Sequence, residues 1–392
     1  MKRFGIFLLA TLLLSSVTFG AVRKWNQKMQ ELSKVLEAIL PEILSAKTGA
    51  SKNLEKNVKR LTELAHHTKP LEVGQTKSLA PDADPSLAMF SNLFERETKR
   101  AYAALKNGSP EYAKMILRTT TTYCISCHTR TDSGPDFPLV SLPKSADKFP
   151  AFEKAQWFAA TRQFDPALNE FSKVLSDPKI ANGRQIEWQR AAKQSLAIAI
   201  RIKHDPDRAL GLVDSALKAE SVPVFFKEQL AAWKASIIGW KAEPAKTLKT
   251  DQDFYNELKR LVAAAKAQQR FPADHAADVT YLRASAVGHD LLALDPKGKF
   301  AAEAMLWVGT AYEILGDPVL WPLHEMYFEA CIRQAPHTAI AGECFSRYET
   351  AVYFGYSGSG GVNIPGDAEK LIAELRTLSE EPVKPEGKSE GK

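Results

Sequence analysis

The sequence predicts an all-α chain, an N-terminal four-helix bundle followed by an α-solenoid. Three observations predict it: apolar residues recurring three and four apart, repeated helix starts made of a capping residue and proline, and one helix-breaking stretch dividing the pattern. Val22, Trp25, Met29, Leu32, Leu36, Ile39 and Ile43 fall on one stripe of a first helix. Leu54, Val58, Leu61 and Ala65 mark a second helix, which ends near Pro70 because proline cannot continue the hydrogen-bond ladder. After a loop over 71–84, Asp84-Pro85 supplies a capping carboxylate and a first-turn proline to a third helix carrying Leu87, Phe90, Phe94, Ala101 and Leu105. Asn107-Gly108 stops that helix, and Ser109-Pro110-Glu111 opens a fourth through Tyr112, Ile116, Thr119 and Tyr123. Four helices with short connections predict a bundle over 21–130.

Residues 131–150 hold Pro135, Pro138, Pro143 and Pro150 among glycine, serine and aspartate, the composition of a linker. Beyond it, over 151–380, two segments share a pattern: Phe158 with Phe164-Asp165-Pro166-Ala167, Phe171 and Val174, then Ile200 with Asp205-Pro206, Ala209, Val213 and Ala216. They resemble tetratricopeptide hairpins, although the two alanines stand 42 residues apart where that repeat uses about 34, and its first-helix tryptophan and leucine are missing. A third hairpin is expected from Ala301 through Tyr312, turning at Gly316-Asp317-Pro318 and returning through Trp321 to Cys331. Stacked hairpins present a concave surface to a partner, the alternative being an all-helical domain with no binding task. The charged, proline- and glycine-containing tail 381–392 predicts disorder.

Composition bounds the class. Of 392 residues, 45% are hydrophobic and 25% charged, enough for two or three cored domains. The 52 basic and 46 acidic residues leave +6, with no basic block and no interleaved aromatics, which argues against a nucleic-acid partner. Met1-Lys2-Arg3, the apolar run Phe4–Leu14 and small residues up to Gly20-Ala21 read as a secretory signal peptide over 1–20, against the alternative of an uncleaved membrane anchor with the apolar stretch extended to Val22. Thr18 and Gly20 suit the cleavage-site pockets, so the mature chain is expected to start near Ala21, be periplasmic, and have no membrane span after signal cleavage.

Four cysteines form two pairs. Cys124-Ile125-Ser126-Cys127-His128 places two thiols and an imidazole at i, i+3 and i+4, on one face of a helix. Covalent haem attachment needs this set: two thiols for the porphyrin vinyl groups and an imidazole for the iron. From the 4 cysteines and 8 histidines, chance produces the pattern in roughly one such chain per thousand. The other readings are a thiol redox pair, half a zinc site or a structural disulfide. Cys331 and Cys344 flank the turn Gln334–Thr338, and either a bridge between two helices or two buried free thiols fits that spacing. Gly355-Tyr356-Ser357-Gly358-Ser359-Gly360-Gly361 lacks the Lys-Ser/Thr ending of a phosphate loop and reads as a flexible or partner-contacting loop. No Ser/His/Asp or paired-carboxylate arrangement stands out, so no hydrolase is proposed and an enzymatic role is left undecided.

With the motif at the end of a fourth helix, residues 22–130 resemble the class II c-type cytochromes, the cytochrome c′ group. The closest matches are Phe90–Lys106, Asn107-Gly108-Ser109-Pro110 and Tyr123–His128. The resemblance implies one haem c bound through Cys124 and Cys127, with His128 as the proximal iron ligand. The sixth position is then either open or filled by a first-helix methionine, for which Met29 is the candidate, against the alternative that Met29 is core. His66 and His67, at the end of the second helix, read better as solvated or capping residues. One departure stands out: Asp132 occupies the place, four after the haem histidine, where the family has a basic residue, and Arg130 lies two after it. The expected function is electron transfer, with the helical repeats docking a redox or envelope protein. The alternatives are NO or CO binding at an open iron, or an envelope scaffold with a structural haem.

Overall fold

The computed structural model describes residues 27–44, 48–68, 84–130, 149–219, 222–272, 274–316 and 323–380. The predicted signal peptide, nearly all of the linker 131–150, the tail 381–392 and the turn containing Asp317, Pro318 and Trp321 lie outside them. The described chain is all-α. Its first helices are α1 (27–43), α2 (Lys52–Ala65), α3 (Pro85–Lys106) and α4 (Pro110–His128). Next come α5 (Ala151–Ala160), α6 (Phe164–Ser176), α7 (Pro178–Gly183), α8 (Gln185–Ala197), α9 (Pro206–Leu217) and α10 (Val224–Ala242). Then follow α11 (Asp251–Gln268), α12 (Asp278–Leu294), α13 (Ala301–Leu315), α14 (Leu323–Gln334), α15 (Ala339–Gly355) and α16 (Gly366–Ser379).

Local chemistry sets the boundaries. Ser51 caps α2 by accepting the Leu54 amide at 3.1 Å, and Asp84 caps α3 by accepting the Ser86 amide at 2.9 Å, with Pro85 in the first turn. Asn107 and Gly108 end α3, and Gly108 takes φ 73°, a left-handed conformation that costs glycine little. Pro110 opens α4 as expected, but Ser109 makes no side-chain cap there. Thr250 and Asp253 cap α11 reciprocally, each side chain meeting the other's backbone amide. The expected glycine-rich loop is instead a short hairpin, Ser357–Gly358 (β1) pairing antiparallel with Gly361–Val362 (β2).

Successive helices pack on one another through α3/α4, α5/α6, α11/α12, α12/α13, α13/α14 and α14/α15, and α3 also lies against α14. One contiguous apolar cluster runs from Leu32 to Leu375. Trp188 and Trp233 are fully buried within it, and their indole N–H groups donate to the Leu175 and His275 carbonyls at 3.0 and 2.7 Å. The α13/α14 contact is close enough to require Gly309, because a Cβ there would stand 2.7 Å from the Phe328 ring. Cys331 of α14 and Cys344 of α15 form a disulfide with Cα atoms 6.3 Å apart, so of the two readings of this pair the bridge is the one found.

Between α8 and α9 the chain forms a π-helical turn, Ile198–Ile202, whose Arg201 points into the interior. Such turns insert one residue into the helical repeat and re-aim the side chains that follow.

Candidate functional site

Helix α4 runs unbroken through the motif, so Cys124, Cys127 and His128 lie on one face of its last turns, as their spacing requires. The helix end is tied off by the Thr129 amide and hydroxyl, which donate to the Ile125 carbonyl at 2.9 and 2.8 Å. Cys124 and Cys127 are not joined to each other, in contrast to Cys331 and Cys344. Burial, with mutual repulsion between the two sulfurs, pushes the Cys124 thiol up to about 12. Burial and the Asp84 carboxylate push Cys127 to about 12 as well. A thiol–disulfide catalyst needs the opposite, a thiolate stabilised near neutral pH.

His128 is held in the neutral form. Burial pushes it down to about 3, the Arg162 guanidinium acts in the same direction, and a hydrogen bond to the Ala160 backbone works against both. Arg162 also reaches the His128 carbonyl, at 3.4 Å. A neutral imidazole oriented by a backbone carbonyl is the state in which histidine ligates a metal. Among the described residues no three His, Cys, Asp or Glu side chains gather as a ligand set, which a zinc site would require. A haem draws four of its iron ligands from the porphyrin and needs a single imidazole from this face, so the residues present fit that group.

No family model matches this chain. No curated protein and no solved structure matches it either.

The remaining sequence-level candidates are placed as follows. Met29 is buried on α1, 8% exposed. His66 and His67 are exposed in a 3₁₀ turn at the end of α2, where His66 Nδ1 sits 3.1 Å from Glu95 Oε1. Arg130 turns into the protein: its guanidinium lies 5.0 Å from the Phe90 ring centre and 4.3 Å from that of Tyr312.

Arg130 belongs to a buried polar node that sequence reading did not find. Asp84, 4% exposed, accepts from the Ser86 hydroxyl and from the Tyr327 phenol, each at 2.6 Å. His289 Nδ1 lies 3.5 Å from the second Asp84 oxygen, and its Nε2 shares a 2.7 Å hydrogen bond with the Tyr312 phenol. Burial favours protonated Asp84, but His289, Arg130 and the Ser86 and Tyr327 donors outweigh it, and the carboxyl lies below its ordinary range. Burial pushes His289 down to about 3 despite Asp84, so Arg130 is the cation that balances the carboxylate. The node joins the start of α3 and the end of α4 to α12, α13 and α14, and its charge reaches Cys127. Nothing in the local sequence signals it, because Asp84 reads fully as a helix cap and its partners Tyr327 and His289 lie more than two hundred residues away.

Proposed function

We propose that the chain is an exported, periplasmic monohaem c-type cytochrome that transfers electrons, with the helices beyond residue 150 docking a redox or envelope protein. The observation that carries the reading is an uninterrupted helical face presenting two unpaired thiols and a neutral, backbone-oriented imidazole. Cys124 and Cys127 would hold haem c as thioethers and His128 would be its proximal ligand, while Met29 is the proposed distal ligand. The group bound there supplies a one-electron iron couple. The high thiol values argue against the competing thiol-redox reading. The disulfide between α14 and α15 supports an oxidising compartment. No helix among the described residues is long and apolar enough to cross a membrane.

The test is the reduced-minus-oxidised absorption spectrum of protein produced with its leader in a host that attaches haem. A c-type band that remains with the polypeptide after denaturation is expected, and its loss in Cys124→Ser/Cys127→Ser. A wild-type spectrum without such a band overturns the reading. Adding CO to the reduced protein tests the sixth position: an unchanged spectrum that becomes CO-sensitive in Met29→Ala supports ligation, and an immediate change in the wild type moves the function to gas binding.

A further inference from the structure

Opposite the cysteines, Thr122, Ile125 and Ser126 of α4, with Thr129 just past its end, line a cavity of about 110 Å³ whose other described walls come from α8, the π-helical turn, α10, α12, α13 and α14. Among the described residues, four cations line it, Arg130, Arg190, Lys193 and Arg201, against one carboxylate, Asp278. Asp84 balances Arg130 from behind, and among the described lining residues cations outnumber carboxylates.

Two features indicate a built site. Arg130 is buried, and its Nε has no hydrogen-bond partner among the described residues. An orphaned buried donor is costly unless a ligand or water meets it. The π-helical turn carries Arg201 to the same wall, where the Arg201 Nε donates to Ser285 Oγ at 2.8 Å and its guanidinium lies 5.1 Å from the Tyr312 ring centre. Arg130 and Arg201 thus share one aromatic ring at the cavity edge. Lys193 of α8 reaches the Leu315 carbonyl at the end of α13, at 3.2 Å.

Size and lining select the ligand. An apolar cavity of about 150 Å³ admits benzene, so 110 Å³ admits roughly four or five non-hydrogen atoms. Guanidinium groups match planar oxyanions, and Ile125, Leu196, Leu282 and Leu315 offer an apolar wall for a short alkyl group. We propose that this cavity binds a short-chain monocarboxylate of acetate or propionate size.

The experiment is isothermal titration of the full chain with sodium acetate and sodium propionate at fixed ionic strength, with chloride and inorganic phosphate as comparison anions. Saturable binding with one site per chain is expected for the carboxylates, weakened about tenfold or more in Lys193→Met and Arg201→Met. Lys193 is partly exposed, so its variant reports on the site even if Arg201→Met fails to fold. Lys234→Met, which removes a surface partner of Asp214 elsewhere, should bind as the wild type does. Absence of saturable heat, equal response to chloride, tighter binding of phosphate, or an unaltered affinity in Lys193→Met would each overturn the proposal. The readout is independent of haem, so this site stands or falls separately from the cytochrome reading.

Discussion

Replacing Asp84 by Asn tests whether the buried node is a charge pair. Asparagine caps helices about as well as aspartate, so the start of α3 should survive. What disappears is the negative charge that balances a guanidinium only 4% exposed. Removing one member of a buried ion pair costs about 3–5 kcal/mol, most of it the penalty of leaving the other charge uncompensated. Asp84→Asn should therefore lower the urea unfolding free energy by about 3–5 kcal/mol with little change in the denaturant slope. Arg130→Met in the same chain removes the stranded cation and keeps an unbranched apolar side chain beside Phe90 and Tyr312, so the double variant should recover at least half of the loss. A loss below about 1 kcal/mol in the single variant, or no recovery in the double, would refute the assignment of Arg130 as the balancing charge.

Two further outcomes follow from burial and cross-linking. His289 and His324 are pushed by burial down to about 3 and about 4, so the unfolded chain binds their protons first as pH falls. Their contribution is fully present above the ordinary histidine value near 6.5 and is lost toward pH 4, at about 1.4 kcal/mol per pH unit for each group. His324→Phe should flatten the stability profile between pH 6.5 and 4 by about that slope, measured by urea unfolding at several pH values; an unchanged slope would contradict a neutral, half-buried His324. The disulfide closes a 13-residue separation, and removing it with Cys331→Ala/Cys344→Ala should cost about 3 kcal/mol in denaturant unfolding. Equal stability of the variant and the oxidised wild type would mean that the bridge does not constrain the unfolded chain.

Most of the local structure was legible because its causes are local. Asp84-Pro85, Asn107-Gly108 and the three-and-four spacing act within a turn or two, and α3 and α4 begin and end where those residues place them. The shared face of Cys124, Cys127 and His128 follows from helical geometry alone. The turn chemistry of Gly355–Gly361 was harder, since serine and glycine favour several loop conformations equally and the hairpin depends on only four paired residues. What sequence could not reveal is the set of contacts whose partners are remote. Arg130 was visible only as a displaced basic residue after the histidine, while its role depends on Tyr312, Tyr327 and Asp84 meeting across four helices. The π-helical turn was equally hidden, because Ile198–Ile202 carries no proline or glycine to mark it.

The hydrogen bond between Asp84 and Tyr327 spans 243 residues of chain. Closing so long a loop is slow, so this contact is expected to form late in folding. Until it forms, the ends of α3 and α4 lack the packing that later buries Cys127 beside the node. Burial raises both thiols, so their thiolate fraction is expected to be larger before the chain closes than after. On the cytochrome proposal, order of events and not only proximity would govern the chemistry at Cys124 and Cys127: attachment would belong to the unfinished chain, and the finished fold would protect what was attached.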